Sequence, residues 1–332
     1  MKNNFDTPIL LIFFNRPSYF KEVLKQVSLV KPTTLFLSQD GPRNSNDLGN
    51  INKCREFIDQ IDWDCKIYKN YNDSNKGCGE HVPNSISWAF SYTDRLIILE
   101  DDCVPSKSFF YFCDTLLKKF NNDERIFLIT GMNHLDYYLE NDNDYFFSNI
   151  GSIAGIATWK RVWEKVDFDL NIINDYENKK ALFRNIEVNS KKLFNSNILI
   201  TVKNLRKKIE KGEKLSSWSS IFGFYTQVLN SQFLIVPTKN LVRNIGISGV
   251  HTPSEIKLIS KSIRKIYKLN LYELDFPLKE PEFVMRDTIY ENKVLKLMKP
   301  NLIIKNLRKL ESLVYRIIFS IIDRKNYFKK NY

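Results

Sequence analysis

Through the first 130 residues, short unbroken apolar runs alternate with segments of helical period. Pro8 to Phe14 reads as a buried strand, followed by Pro17 at a helix start and apolar positions at Tyr19, Val23, Leu24 and Val27. Leu35 to Leu37 predicts a second strand that ends in Ser38-Gln39-Asp40-Gly41-Pro42-Arg43, and a helix over 46–61 leads to a third strand over 65–68. A polar loop from Asn70 to Gly79 precedes a helix running through Ala89. Leu96 to Leu99 and Ile126 to Thr130 predict two further strands. Strands separated by helices of this length make βαβ units with a mostly parallel sheet. The strands lack polar alternation, as a sheet covered by helices on both faces requires.

After Gly131 the pattern is less regular. Helices are predicted over 158–166, 190–211 and 218–229, with a short strand over 233–236. Beyond Pro253 the chain is basic and helical, and 303–322 places Ile304, Leu307, Leu310, Val314, Ile317 and Ile321 on one face. No internal repeat is present. The expected architecture is an α/β, Rossmann-like domain over 1–256, followed by a basic amphipathic helical extension over 257–332.

Composition changes this picture in one respect. The chain has 332 residues, 43% hydrophobic, enough to bury a full core. Its formal net charge of +12 invites a nucleic-acid reading, yet the first 256 residues carry 32 basic and 30 acidic side chains. From Lys257 onward there are 18 basic and 8 acidic residues. Basic residues interleaved with Ile and Leu on an amphipathic helix suit an anionic membrane surface, and no zinc-finger or RNP-type motif appears, so nucleic acid is not an expected partner. Packing of that helix on the domain, with solvated lysines, is the alternative. Five scattered cysteines without a C-x-x-C pair argue for reduced thiols in a cytoplasmic setting, on the cytoplasmic face of the inner membrane if the tail docks there. The apolar run Ile9 to Phe14 is too short for a signal sequence, and no stretch reaches the length of a spanning helix.

In a doubly wound sheet, ligands bind beyond the carboxyl ends of the strands. Polar residues gather there: Asn15 and Arg16 after the first strand, Asp40 and Arg43 after the second, Asn75-Lys76-Gly77 after the third, and Glu100-Asp101-Asp102 after the fourth. Three consecutive carboxylates after Leu-Ile-Ile-Leu are costly unless a cation neutralises them. An oxygen-liking divalent ion, Mn²⁺ or Mg²⁺, bridging to substrate phosphates is one solution. An acidic cap for the helix after Pro105 is the other.

Asn15-Arg16-Pro17, Ser38-Gln39-Asp40-Gly41, Asn75-Lys76-Gly77-Cys78-Gly79 and Ile98-Leu99-Glu100-Asp101-Asp102 together resemble the GT-A nucleotide-diphospho-sugar glycosyltransferases. The likeness is to bacterial sugar transferases related to the N-acetylglucosaminyltransferase I group. Gly155 to Trp159 and Asn244-Ile245-Gly246 through His251-Thr252 extend it over roughly 8–252.

The resemblance implies a GT-A fold, a nucleotide-diphospho-sugar donor (a UDP-sugar favoured), a glycan or lipid-linked acceptor, and inversion at the anomeric carbon. It places Arg16 near the diphosphate and Asp40 on the nucleobase, with Asn15, Arg43 and Lys76 around the donor. Glu100 would lie near the ribose, Asp101 on the sugar hydroxyls, and Asp102 on the metal together with His251. Lys76 as a solvated loop lysine, and His251 as a structural histidine, are the plainer alternatives. His81 is a helix-start residue or a neighbour of the base. Trp159 and Trp163 line an acceptor cleft or belong to a buried helix face. One position departs from the family pattern: Ser217-Trp218-Ser219 puts Ser219 where a carboxylate base is expected. A serine is not an effective base at neutral pH, so Glu213 or Glu210 is the substitute, or the chain is a catalytically impaired nucleotide-sugar-binding relative.

Overall fold

The computed structural model describes residues 5–140, 142–171, 204–213, 218–223, 230–246, 265, 266 and 268–298, with Leu307 and Val314. Its strands are β1 (Ile9–Phe13), β2 (Thr34–Gln39), β3 (Lys66–Tyr71), β4 (Arg95–Glu100), β5 (Cys103–Pro105), β6 (Ile126–Thr130), β7 (Tyr145–Ser148), β8 (Ile156–Trp159), β9 (Phe233–Pro237) and β10 (Val242–Asn244). The helices are α1 (Pro17–Ser28), α2 (Leu48–Ile58), α3 (Cys78–Phe90), α4 (Lys107–Lys119), α5 (Lys160–Trp163), α6 (Ser219–Gly223) and α7 (Thr288–Met298).

Eight strands form one sheet in the order β3-β2-β1-β4-β8-β6-β9-β7. β3, β2, β1 and β4 are parallel, β8 runs against both β4 and β6, β9 is parallel to β6, and β7 is antiparallel at the edge. The mixed α/β fold with a mostly parallel, helix-flanked sheet is therefore as predicted. Right-handed crossovers set α1 and α2 on one face and α3 on the other, while α4 returns on the α1 face, where Thr7 bonds Asp114 and Trp159 bonds the Leu117 carbonyl. Accordingly α1 packs on α2, while α3 packs on β1 and β4, and α4 on β4, β6 and β8. All five residues of β1 and of β6 are buried, which explains their unbroken apolar sequence. β3, at one edge, keeps Lys66 and Lys69 exposed, and charges there discourage pairing with another chain.

Four strands escape the sequence pattern: β5, β7, β8 and β10 have only three or four residues each. The helix predicted over 158–166 starts two residues later, because Thr158 and Trp159 finish β8. Their side chains are drawn into the core, Thr158 Oγ1 donating to the Phe127 carbonyl at 2.6 Å and Trp159 Nε1 to the Leu117 carbonyl at 3.0 Å. Trp163 is buried against Phe90, Phe168, Trp218 and Phe222, so both tryptophans are core residues and neither lines a cleft. Of the helix predicted over 190–211, residues 204–210 are helical and 190–203 lie outside the described residues. Helix 218–229 is represented by α6, and 224–229 lie outside.

The stretch 268–298, placed beyond the boundary at 256 by the sequence reading, is built into this fold. Arg286 bridges to Phe147, the Asp287 N–H donates to the Phe147 carbonyl at 2.8 Å, and Tyr290 and Val294 of α7 are fully buried. This segment covers the free edge of β7. Residues 269–298 hold four basic and six acidic side chains, so the tail's excess positive charge falls on 257–268 and 299–332. The amphipathic helix expected over 303–322 lies outside the described residues except for Leu307 and Val314. Among the described residues, no helix is long and apolar enough to cross a membrane.

Candidate active site

The carboxyl ends of β1, β2, β3 and β4 meet, and a single arginine joins two of them. Arg16, leading into α1, donates from Nε to Asp101 Oδ2 at 3.2 Å, from Nη2 to Asp101 Oδ1, and from Nη1 to Asp102 Oδ2 at 3.0 Å. The pairs are mostly shielded from water, with Asp101 at 3% and Asp102 at 16% side-chain exposure. Burial alone pulls the Arg16 guanidinium down, but the charges and hydrogen bonds of Asp101 and Asp102 outweigh it and raise its pKa. Asp101 is pushed up to about 6, first by burial, with Arg16 pulling down and Asp102 pushing up. Glu100, at the end of β4, is raised to about 7 by burial and by repulsion from Asp102 and Asp101. One guanidinium thus serves three carboxylates, and the site keeps a residual appetite for positive charge.

β10 closes the site from the other side. It pairs antiparallel with β5, and its Asn244 donates from Nδ2 to Asp102 Oδ1 at 3.3 Å. The Ile245 N–H bonds the Asp102 carbonyl at 2.8 Å. Gly246 then passes so close to the Asp102 carboxylate that a Cβ there would collide with it. Its N–H donates to Asn244 Oδ1 at 2.8 Å, which fixes the turn.

Asp40, after β2, is buried and accepts five hydrogen bonds. The N–H groups of Gly41, Lys76 and Gly77 donate at 2.9 Å each, and the Asn72 and Asn75 amides at 3.2 and 2.9 Å. A carboxylate offers about four lone-pair sites, so Asp40 is saturated by the loop after β3, and a nucleobase would have to share it. Gly41 is required here, since a Cβ would lie 2.5 Å from the backbone of Ser74. The buried His81 backs this clamp, its Nδ1 3.0 Å from Asn72 Nδ2, and burial lowers its pKa.

Asn15 and Arg43 are brought together by a residue the sequence reading overlooked. Asp47 accepts from Asn15 Nδ2 at 2.6 Å, from the Arg43 N–H at 3.0 Å, and from Arg43 Nε and Nη2 at 2.9 and 2.8 Å. The hydrogen bonds from Arg43 hold its pKa well below the carboxylate range. Arg43 also lies over the Phe14 ring at 5.0 Å. The only sequence signal was the four-residue spacing of Arg43 and Asp47.

Lys76 is exposed, its ammonium 3.5 Å from Glu80. Cys78 begins α3 with an exposed side chain, and partial desolvation, then the charges of Glu100 and Asp102, push its thiol up to about 11. Glu213 is exposed beyond Gly212, whose positive φ of 66° ends the helix over 204–210, and Glu210 pairs with Arg206 at 3.0 Å. Ser219 is the first residue of α6, beside the buried Trp218. His251 lies outside the described residues.

Two hard carboxylates at a strand end suit Mg²⁺ or Mn²⁺ in their donor chemistry. Such ions are commonly held by one or two carboxylates together with substrate phosphates. Among the described residues no three His, Cys, Asp or Glu side chains form a ready ion cage. Asp102 fits the shared arrangement: among the described residues its Oδ1 is engaged by the long bond from Asn244 and by the Cys103 thiol at 3.4 Å.

No family model matches this chain, and no curated protein does. Among solved structures it is similar to S. aureus TarS 1–349, at 10% identity and a TM-score of 0.34, over 49% of each chain. The chain therefore spans about half the length of that structure. It is also similar to UDP-glucose pyrophosphorylase complexed with UDP-glucose and to the apo form. These matches have 8% identity, TM-scores of 0.35 and 0.37, and cover 72% of this chain and 92% and 93% of the others. Scores of this size say nothing about chemistry, which rests on the residues of the site.

Proposed function

We propose that the protein is a metal-dependent glycosyltransferase that moves a sugar from a nucleotide-diphospho-sugar, a UDP-sugar favoured, to a hydroxyl of a glycan or lipid-linked acceptor, with inversion. The observation that carries this reading is the Arg16–Asp101–Asp102 cluster at the convergence of four strand ends, closed by Asn244 and Gly246. The open carboxyl edge of a parallel sheet is where such folds hold nucleotides.

In this reading Arg16 turns from the carboxylates toward the diphosphate and stabilises the charge that grows as the leaving group departs. Asp101 orients the transferred sugar by accepting its hydroxyl hydrogens, and Glu100 does the same at the ribose. Asn15 and Arg43, held by Asp47, complete the donor cradle. Asp102, with His251, holds Mn²⁺ or Mg²⁺, which when bound supplies further charge neutralisation at the diphosphate. The acceptor proton goes to a carboxylate, for which Glu213 is the candidate.

The basic stretches 257–268 and 299–332 support docking on an anionic cytoplasmic membrane surface, as a lipid-linked acceptor would require. Deletion after Lys299 should release the protein from anionic vesicles, and full-length protein that ignores such vesicles sinks that part.

Mn²⁺-dependent hydrolysis across UDP-, GDP- and dTDP-sugars tests the main reading. Turnover of one donor class, lost in Asp102→Ala, is expected. Donor binding without turnover, even with cell-derived acceptors, would favour the impaired relative suggested by Ser219. No binding of any donor would end both.

A further inference from the structure

Beyond β6 and β9, on the same carboxyl edge as the acidic cluster, the surface carries a pair of tyrosines that the site described above does not use. Tyr137 is 46% exposed and Leu139 beside it 50%. The Tyr137 ring lies 5.9 Å from that of the half-buried Tyr272, tilted by 50°, so the two faces form a shallow ledge.

The rim of the ledge is polar and already ordered. Asp136, at a positive φ of 71°, accepts from the Asn270 N–H at 2.7 Å, from Asn270 Nδ2 at 2.8 Å and from the Tyr272 hydroxyl at 3.1 Å. Three of its roughly four lone-pair sites are filled. What remains facing solvent is mainly acceptor capacity, on Asp136 and on Asn270 Oδ1. Such a rim welcomes hydroxyl hydrogens and repels phosphate or carboxylate. Lys239 is bridged to Tyr137 through the backbone, and Lys268 stands exposed two residues before Asn270.

Asn240 fixes this ledge to the acidic cluster. It is fully buried, and all four of its polar groups are bonded. Its N–H donates to the Asp136 carbonyl at 2.9 Å and its Nδ2 to the Asn270 carbonyl at 2.7 Å. Its carbonyl accepts from the Tyr272 N–H and its Oδ1 from the Asn133 N–H, both at 3.0 Å. Four residues further on, Asn244 bonds Asp102, so at most about 13 Å of extended chain separates the ledge's anchor from the site's.

We propose that Tyr137 and Tyr272 form a binding subsite for a neutral pyranose ring of an oligosaccharide. An apolar aromatic face with an acceptor-rich rim matches a sugar ring, whose C–H face is apolar and whose edge donates hydroxyl hydrogens. That the bound oligosaccharide is the acceptor rests on the transferase reading; the subsite itself does not.

Saturation-transfer NMR and calorimetry of the full chain with maltotetraose, cellotetraose and chitotetraose test it. At least one should bind, with Tyr137→Ala weakening it about tenfold and Tyr137→Phe, which keeps the face, leaving it nearly unchanged. UDP binding should be unaffected by Tyr137→Ala. No tetrasaccharide binding in the millimolar range, binding indifferent to Tyr137→Ala, or loss of UDP binding in that variant would each overturn the proposal. Tetrasaccharide binding by a protein that binds no nucleotide sugar would keep the subsite and remove the transferase.

Discussion

Replacing Asp40 by Asn separates a clamp from a ligand-reading residue. The carboxylate divides its five donors as three on Oδ1 (Gly41, Asn72, Lys76) and two on Oδ2 (Asn75, Gly77). An amide in its place turns one oxygen into an NH₂ group. Whichever orientation it takes, two or three N–H donors then face another donor in a buried setting. Hydrogen bonds to a charged acceptor are worth about 1.5–3 kcal/mol each, and donors near the surface recover part of that from water. The net cost should be about 3 kcal/mol, a drop of about 4 °C in the unfolding midpoint for a chain of this size. Urea unfolding followed by circular dichroism reads it directly, with UDP calorimetry on the same sample. A loss of UDP affinity in Asp40→Asn with stability within about 1 kcal/mol of wild type would refute the clamp and favour a direct contact with the base.

Other substitutions probe the rest of the site. Gly246→Ala should leave stability within about 1 kcal/mol, because the colliding atom is the end of the Asp102 side chain and can swing away. It should weaken Mn²⁺-dependent donor binding about tenfold, and full affinity would mean that the close approach is idle. Gly131→Ala meets Val242 and Phe109 in the core and should destabilise by about 1–3 kcal/mol in urea, with no change showing that this packing yields. Glu100 and Asp101 have folded pKa values raised to about 7 and about 6, so the folded state holds their protons more tightly than the unfolded chain. Their contribution is therefore favourable at acid pH and is lost as pH rises from about 4 through about 7. Glu100→Gln should flatten that slope in urea midpoint against pH, and an equal slope would contradict it.

The regular parts of the fold were legible because burial on both faces leaves a plain apolar run, as in β1 and β6. β5, β7, β8 and β10 were not, because strands this short carry no period and are fixed by partners distant in sequence. Thr158 and Trp159 illustrate the ambiguity: their residue types suited a buried helix start, and only hydrogen bonds to Phe127 and Leu117 decide for the strand. At the site, the strand-end residues Arg16, Asp101 and Asp102 were legible by position and charge. Asp47 and Asn240 were not, since each acts by tying together segments whose proximity exists only in the folded chain.

The charge pattern gains meaning from this geometry. A tail of 18 basic and 8 acidic residues looks uniformly basic until 269–298, with four basic and six acidic, is seen to close the β7 edge. Closing a sheet edge is a packing task, carried by Tyr290 and Val294 and by Glu291, which accepts from the Asn149 N–H and pairs with Arg286. Excess positive charge would contribute nothing there. The stretches on either side carry a different balance, 257–268 with five basic and no acidic residues and 299–332 with nine and two. Selection for an anionic surface would leave cations in those two stretches and spare the strap between them, which is the distribution this chain has. Neutralising Arg308 and Lys309 should therefore weaken vesicle binding, at about 1 kcal/mol per charge, without moving the unfolding midpoint. The same change at Lys293 and Lys296 within α7 should leave vesicle binding unchanged, and equal losses from the two pairs would show that net charge alone governs binding.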